Sequence, residues 1–269
     1  MRIGSRDFAT IGHTYIMGIL NVTPDSFSDG GKFNQIDAAL KHAEEMIRDG
    51  ADVIDIGGES ARPGYTKISD DEETGRVVPV IEAVKKEFGI PISVDTYKSG
   101  VAEAAAQAGA DLINDIWGLK YDPHMSEVIA KSGLACCLMH NRDNTEYRNF
   151  MEDVKQDLRE TIALAKAAGI ADDKIILDPG VGFAKSYENN LEVIRRLKEF
   201  NELKYPVLLG TSRKSVIGLT LDLPAAERVE GTIVTTVMAV EAGCMFVRVH
   251  DVKENHRAIQ MAEAILDRK

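Results

Sequence analysis

Short apolar runs alternate with longer amphipathic stretches along the whole chain. The runs are compact and rich in Val, Ile and Leu, which is typical of parallel strands buried on both faces. Eight of them can be placed, at residues 15–20, 52–57, 91–95, 111–115, 134–139, 174–178, 206–210 and 245–249. The alternation therefore predicts repeated strand–helix units around a parallel sheet.

The stretches between the runs predict helices. Three of them, residues 36–50, 99–110 and 151–170, close with Gly-Ala or Gly-Ile, and glycine there supplies the left-handed turn that ends a helix. Eight such units predict a (β/α)8 TIM barrel, a single α/β domain over 1–269. A doubly wound open sheet is the alternative, disfavoured because no GxGxxG motif follows the first strand. Residues 1–8 are expected to form a short hairpin at the bottom of the barrel.

Composition narrows the classes of partner. The formal net charge of −11 argues against a general nucleic-acid or membrane-surface binder, because phosphate backbones require an extended basic face. An anionic ligand must therefore meet a local basic cluster.

Cys136, Cys137 and Cys244 are too few and too badly spaced for a disulfide framework, and indicate buried thiols in a reducing compartment. The N-terminus has no apolar stretch long enough for a signal peptide or membrane span, so a soluble cytoplasmic protein is expected.

Polar residues follow the predicted strands. In a TIM barrel the loops after the strands form the face that carries the active site. The chemistry-bearing residues at these positions are Asn21, Asp55, Glu59, Arg62, Asp95, Asn114, Asp115, His140, Asp178, Lys214, Arg248 and His250. Taken alone, a residue such as Asp115 is most simply the cap of the helix that follows. Because seven of the eight strands end in such a side chain, the set favours one shared cleft.

These residues divide by chemical type. Asp95, Asn114 and Asp178 end or nearly end three strands, where rigid carboxylates and amides can pair with the N–H groups of a planar heterocycle. The basic members, from the second, seventh and eighth units, are Arg62, Lys214, Arg248 and His250. Together they can neutralise a diphosphate. Asn21 either offers its amide oxygen to Mg²⁺ or caps a turn.

Two glycine-rich segments interrupt the pattern. Residues 21–33 have no helical or strand period, and we expect either a lid whose Phe27 shields a reacting centre or an ordinary surface loop. In residues 55–64, paired glycines turn the chain sharply away from the strand, so that Arg62 can face the cleft. Asp55 and Glu59 either orient Arg62 or cap this loop.

Eight motifs, standing in order from about residue 15 to about residue 256, resemble those of the dihydropteroate synthase family. They are GILNVTPDSFSDGG, DIGGESARPG, SVDT, INDIWG, LMH, LDPGVGF, GTSRKSVIG and RVHDV. The resemblance implies a barrel enzyme of folate biosynthesis. Its reaction joins 4-aminobenzoate to 7,8-dihydropterin-6-ylmethyl diphosphate and releases diphosphate and 7,8-dihydropteroate. It also implies a Mg²⁺ cofactor and a homodimer. The late helices from about 225 to 268 are candidates for the dimer interface, and core packing explains their composition equally well.

Carried over position by position, the family's sites fall on the strand ends and loops described above. The resemblance implies a pterin pocket formed by Asp95, Asn114, Asp178 and Lys214, with Met139 and Phe183 as apolar walls and Gly210 allowing close approach. It implies a diphosphate and Mg²⁺ site at Asn21, Arg62, Arg248 and His250. It implies a 4-aminobenzoate site at Arg62, Pro63, Phe183, Lys214, Ser212 and Phe27, where sulfonamides would compete.

The implied mechanism is an SN1-like displacement without a covalent enzyme intermediate. The residues expected to act in catalysis are Lys214, Asp95, Asp178, Arg248 and His250. Carboxylates near the pterin would favour its developing cation, and the basic groups would stabilise the departing anion. The alternatives are a pterin-binding methyltransferase that passes a methyl group between a folate and a corrinoid, and a non-enzymatic binding module.

One position departs from the family. The family usually has Thr between the Ser and Arg of the second loop, whereas this chain has Ala61 between Ser60 and Arg62. The missing hydroxyl removes one hydrogen bond, worth about 0.5–1.5 kcal/mol. The departure bears on substrate affinity and sulfonamide response rather than on the reaction class.

Overall fold

The computed structural model describes residues 1–23, 32–59 and 67–267. The proposed lid residue Phe27 lies outside the described residues. So do Ala61, Arg62 and Pro63 of the second glycine-rich segment.

Eight parallel strands form the predicted barrel. After the hairpin strands β1 (Arg2–Ile3) and β2 (Arg6–Asp7), they are β3 (Tyr15–Asn21), β4 (Val53–Gly57), β5 (Ile92–Asp95), β6 (Leu112–Asp115), β7 (Ala135–Met139), β8 (Ile175–Asp178), β9 (Leu208–Leu209) and β10 (Phe246–Val249). Their order is β8-β7-β6-β5-β4-β3-β10-β9. A parallel bridge between Leu177 and Val207 joins the two ends of this order. The TIM barrel is therefore confirmed, and the open-sheet alternative is wrong.

Helices follow the barrel strands. They are α1 (Lys32–Asp49), α2 (Asp70–Glu87), α3 (Ser99–Ala108), α4 (Met125–Ser132), α5 (Phe150–Ala167), α6 (Tyr187–Arg195), α7 (Ser215–Leu221), α8 (Val229–Ala242) and α9 (Val252–Ile265). The predicted glycine endings are confirmed, because Gly50, Gly109 and Gly169 have φ of 108°, 107° and 90°, a region that residues with a Cβ avoid. Among the described residues, no helix combines the length and apolarity needed to cross a membrane.

The hairpin covers the bottom of the barrel, as predicted. Strands β1 and β2 pair antiparallel, and the buried Ile3 and Phe8 pack with Met17 and Phe246 inside the barrel. The three cysteines are free and buried, also as predicted.

The side chains of each barrel strand alternate between two hydrophobic cores, one inside the barrel and one between the barrel and the helices. Val53 of β4 packs inside the barrel, whereas its neighbours Ile54 and Ile56 pack with the helices outside. Because side chains two residues apart share a face, Asp55 and Gly57 also face the barrel interior, progressively nearer the carboxyl ends of the strands. The same period places the strand-end residues of the other strands at this mouth.

Candidate active site

A row of residues from neighbouring strands lines one side of the barrel mouth. Strand register pairs Asn21 with Gly57, Gly57 with Asp95, and Asp95 with Asn114. Paired residues of adjacent parallel strands lie side by side. The structure therefore brings together three of the predicted site residues, and Gly57 leaves space between two of them.

Arg248 joins two carboxylates at the centre of this mouth. Its Nε lies 2.6 Å from Asp55 Oδ2 and its Nη2 lies 2.5 Å from Asp95 Oδ2. Asn114 Nδ2 also donates to Asp55 Oδ2, at 3.3 Å. Burial alone would lower the pKa of Arg248, but the two carboxylates raise it above its ordinary value. Asp55, which is fully buried, thus orients Arg248, a partner that neither sequence interpretation of Asp55 included.

Asp95 has an unusual affinity for protons. Burial raises the pKa of its carboxyl to about 7, against the attraction of Arg248 and with a further contribution from Asp55. The carboxyl therefore takes up a proton at a higher pH than an exposed aspartate does. A heterocycle in the mouth would meet a side chain able either to donate or to accept a hydrogen bond.

Asp178 and Lys214 face the mouth from its other side. Asp178 Oδ1 accepts a hydrogen bond from Gly180 N at 2.7 Å, and burial raises the pKa of this carboxyl while Lys214 opposes the rise. Lys214 Nζ donates to Val181 O at 2.5 Å, and burial lowers its pKa to about 8. A Cβ on Gly210 would lie 3.6 Å from Asp178 Oδ2 and 3.8 Å from Lys214 Nζ. The missing side chain thus leaves open the space that these two groups border.

An apolar wall stands beside these polar groups. Met139 is buried in a small cluster that also contains Tyr97 and Ile116, with Phe183 packed against it. Lys214 Nζ lies 4.8 Å from the centroid of the Phe183 ring, within the range of a cation–π contact. The two predicted walls therefore belong to one surface, which can cover a flat ring.

Ser212 and His250 contact each other directly. Ser212 Oγ lies 2.9 Å from His250 Nδ1 and accepts a hydrogen bond from His250 N at 3.1 Å. The resemblance assigned these residues to different ligands. Their contact means that sites for an anion and for an aromatic amine at this end of the barrel would adjoin.

Two strand-end acids have structural roles. Asp115 accepts hydrogen bonds from Trp117 N and Leu119 N at 2.8 and 2.7 Å. It therefore closes the turn after β6, and its interpretation as the cap of the following helix is wrong, because α4 begins at Met125 with His124 at the N-cap position. Glu59 Oε2 accepts a hydrogen bond from Ile68 N at 2.9 Å and forms an ion pair with Lys98 Nζ at 2.8 Å. Its carboxylate therefore connects the end of the β4 loop to Ile68, shortly before α2, and to Lys98.

Two functional candidates were missed by the sequence analysis. Arg213 follows Ser212 with φ of 57° and forms a bidentate ion pair with Asp251, which connects the loop after β9 to the loop after β10. Lys185, in the loop after β8, donates to His140 and to two backbone carbonyls. The available signal was the position of Arg213 within the motif GTSRKSVIG and of Lys185 two residues after the motif LDPGVGF. Their partners could not be identified, because Asp251 and His140 are remote in sequence.

Comparison with known proteins gives consistent matches over nearly the whole chain. The family model described as "Pterin binding enzyme" matches residues 17–250. The chain is 61% identical over 269 residues to the dihydropteroate synthase of Clostridium beijerinckii, covering 100% of both chains. It is 55% identical over 255 residues to that of Bacillus subtilis, covering 95% of this chain and 90% of the relative.

Solved structures agree with this result. A Clostridium difficile dihydropteroate synthase, solved in the presence of pteroic acid, has a TM-score of 0.93 at 52% identity, with 100% of both chains covered. The Yersinia pestis enzyme with a sulfonamide drug has a TM-score of 0.93 at 42% identity, with 99% of both covered. This chain therefore belongs to the dihydropteroate synthases, within the family of pterin binding enzymes.

Proposed function

We propose that this chain performs the dihydropteroate synthase reaction with the pterin held across the barrel mouth by Asp95, Asn114 and Asp178. The observation that carries the proposal is the buried polar mouth of the barrel. There, Asp178 and Lys214, which carry opposite charges, lie beside the apolar wall formed by Met139 and Phe183. A pterin presents a row of ring nitrogens and an amino group along one edge. Carboxyl and amide side chains at fixed positions can satisfy that row, while Met139 and Phe183 cover the ring faces.

The leaving diphosphate is assigned to the basic side of the mouth. Arg248 and His250 supply positive charge or hydrogen-bond donors there. Lys214 adjoins this side, because a Cβ on Gly210 would stand 3.8 Å from both Arg248 Cβ and Lys214 Nζ. The diphosphate role of Arg62 and the aminobenzoate roles of Pro63 and Phe27 stay predictions from the resemblance. Ser212 contacts His250, which supports an aminobenzoate position adjoining the diphosphate.

The residues fit Mg²⁺ as a partner of the substrate's phosphates. Among the described residues, no group of three or more His, Cys, Asp or Glu side chains could hold a metal ion alone. Asn21 Oδ1 and Asp95 Oδ2 lie 3.7 and 3.8 Å from the point where a Cβ on Gly57 would stand. Mg²⁺ commonly uses one or two protein oxygens together with phosphates and water. When bound, it would supply positive charge that stabilises the departing diphosphate.

The chemistry follows an SN1-like path. The bond from the pterin methylene carbon to the diphosphate oxygen breaks, and its electron pair leaves with the diphosphate. The carboxylates of Asp95 and Asp178 lie near the positive charge that then develops on the pterin, and Arg248 stabilises the anion. The amine of 4-aminobenzoate then attacks the methylene carbon and forms the new carbon–nitrogen bond, and the proton that the nitrogen loses passes to solvent. The apolar wall limits competition from water.

A direct assay tests the proposed function. Purified protein supplied with the pterin diphosphate, 4-aminobenzoate and Mg²⁺ is expected to release diphosphate and form 7,8-dihydropteroate. A sulfonamide should compete with 4-aminobenzoate in the same assay. Folded protein that releases no diphosphate, but transfers a methyl group from a methylated folate to a corrinoid, would instead support the methyltransferase alternative.

Arg213 offers a test of loop positioning. Replacing it with glutamine is expected to lower kcat/KM by roughly tenfold, because a small displacement of Ser212 or Lys214 disturbs the reacting geometry. The ion pair with Asp251 is partly exposed, so the cost in stability should stay near 1 kcal/mol. Steady-state kinetics and urea unfolding measure the two effects.

The matched control is Arg196→Gln. Arg196 forms a similar bidentate pair with Glu199, at the end of α6 and away from the mouth. Its loss should leave kcat/KM within about twofold of wild type. Equal kinetic losses in the two variants would contradict a positioning role for Arg213.

A homodimer is supported by apolar side chains left exposed on α8 and α9. Val234 is 60% exposed, Met261 62% and Ile265 71%, and these two helices pack against each other. Exposed apolar patches mark association surfaces. We expect Val234→Glu to convert a wild-type dimer into a monomer in size-exclusion chromatography with light scattering.

The control for the dimer is Leu164→Glu. Leu164 is 45% exposed on α5, and its replacement should leave the molar mass unchanged. A wild-type monomer, or a dimer that survives Val234→Glu, would overturn the proposal. The cytoplasmic location and the single-domain organisation stay predictions from the sequence.

A further inference from the structure

Lys185 sits at the junction of two loops at the barrel mouth. It follows β8 in the loop that leads to α6, and its Nζ makes three hydrogen bonds. It donates to His140 Nδ1 at 2.8 Å, to Gly180 O at 3.0 Å and to Phe183 O at 3.1 Å. The ammonium thus holds both ends of residues 180–183 against the end of β7.

His140 is held in the tautomer that accepts from Lys185. Its ring is fully buried, and its Nε2 lies 2.9 Å from Asp157 Oδ2. Burial lowers the pKa of His140 to about 4 despite the hydrogen bond to Asp157, so the ring is neutral at physiological pH. Nε2–H donates to Asp157, which leaves Nδ1 as an acceptor. Arg142 binds the same carboxylate, with its Nε 2.5 Å from Asp157 Oδ2.

The segment that Lys185 holds also determines the shape of the mouth. Gly180 N donates to Asp178 Oδ1, and Phe183 forms part of the apolar wall. Gly180 has φ of 71°, and a Cβ there would stand 2.0 Å from His140 O. The loop is therefore pressed against the end of β7, and its position sets both a carboxylate and an aromatic ring.

Burying the ammonium of Lys185 lowers the stability of the fold. Within the described part of the chain, its ammonium forms no ion pair with a carboxylate. Burial lowers its pKa to about 7, with Asp178 raising it and Lys214 lowering it further. Desolvating an ammonium disfavours the folded state. A methionine of similar length would avoid that cost, which indicates that lysine serves something other than stability.

We propose that Lys185 is a positioning residue for pterin binding, which fixes Asp178 and Phe183 by tying residues 180–183 to the neutral ring of His140. This inference rests on the proposed function, because it takes Asp178 and Phe183 as pterin contacts. Lys185 acts through these residues and does not itself touch the substrate.

Lys185→Met separates positioning from stability. We expect the Kd of the pterin diphosphate to rise about 10- to 100-fold, because the three hydrogen bonds that hold residues 180–183 against His140 are lost. The unfolding midpoint should stay within about 3 °C of wild type or rise, because a buried charge is removed. Isothermal titration calorimetry and thermal unfolding give the two values.

The matched control is Lys120→Met. Lys120 Nζ donates to the backbone oxygen of Asp157 at 3.1 Å. It therefore contacts α5, the helix that carries the partner of His140, and makes no hydrogen bond to residues 180–183. Its replacement should leave the Kd of the pterin diphosphate unchanged. In Lys185→Ala, added methylamine or ethylamine should recover part of the lost affinity by restoring the ammonium.

The outcomes distinguish the two proposals. If wild type does not bind the pterin diphosphate, the proposed function fails. If wild type binds it, Asp178→Asn does not, and Lys185→Met binds like wild type, only the positioning role fails. Positioning would also be overturned if the affinity and the unfolding midpoint of Lys185→Met fell together and amines did not rescue Lys185→Ala, because the residue would then be structural.

Discussion

Replacing Asp178 with asparagine is expected to lower kcat/KM for the pterin diphosphate by roughly 100- to 1,000-fold, because a buried site built to bind N–H groups loses its charged acceptor. The amide is almost the same size, so it should fit the space that Asp178 occupies. It also presents an NH₂ group to ring nitrogens that need acceptors. Steady-state kinetics with varied pterin diphosphate, together with calorimetric binding, measures the loss.

Asp115→Asn is the matched control for this substitution. Asp115 ends β6 as Asp178 ends β8, and both carboxylates are buried. The oxygens of Asp115, however, bind the backbone of Trp117 and Leu119. We therefore expect Asp115→Asn to reduce thermal stability while kcat/KM stays within about threefold of wild type. If Asp178→Asn keeps wild-type affinity for the pterin, our assignment of this carboxylate is wrong.

Much of the fold was accessible from the sequence because the barrel strands are buried on both faces. Such strands appear as uninterrupted apolar runs, and the run at 52–57 matches β4 to within one residue. Strand β9 is the shortest of the eight barrel strands, with only Leu208 and Leu209, and here the predicted run at 206–210 is longer than the strand. The helix ends were equally predictable from the glycines that follow them, because few residues other than glycine adopt a positive φ.

The candidate site was predictable only in part. Strand alternation places Asp95, Asn114 and Arg248 on the inner face, so their convergence at one mouth follows from the fold. The same alternation could have placed Asp55 there, one step below Gly57. The ion pairs between these side chains could not be predicted from the sequence, because Arg248 and its partner Asp55 are 193 positions apart along the chain. Which acid binds which base depends on the barrel's closure, and no local pattern encodes that.

Lys185 illustrates a different limit. A lysine in a loop is most often an exposed charge, and the sequence carries no sign that this ammonium is desolvated. Its role becomes visible only when His140 and the carbonyls of Gly180 and Phe183 are seen around it. Residues that position others lack the strand-end location that identified the direct candidates.

Arg248→Met is expected to lose both activity and stability. The substitution leaves Asp55 and Asp95 buried without their counter-charge, a change that typically costs about 3–5 kcal/mol of unfolding free energy. Urea unfolding measures this loss at pH 8. The free energy of unfolding of Arg248→Lys should lie between those of wild type and Arg248→Met. A single ammonium cannot bind two carboxylates with the planar geometry of a guanidinium.

The loss of stability in Arg248→Met should depend on pH through Asp95. Burial already raises the folded-state pKa of Asp95 to about 7, and removing Arg248 takes away the charge that opposes the rise. A carboxyl with a raised folded pKa favours the folded state at low pH, and that benefit disappears as the pH rises through the folded value. The variant should therefore approach wild type near pH 5 and fall further below it between pH 7 and 9. Adding Asp95→Asn should reduce this dependence on pH and restore part of the stability without restoring activity, while Asp55 stays without its counter-charge. A pH-independent loss of stability would exclude Asp95 as its source.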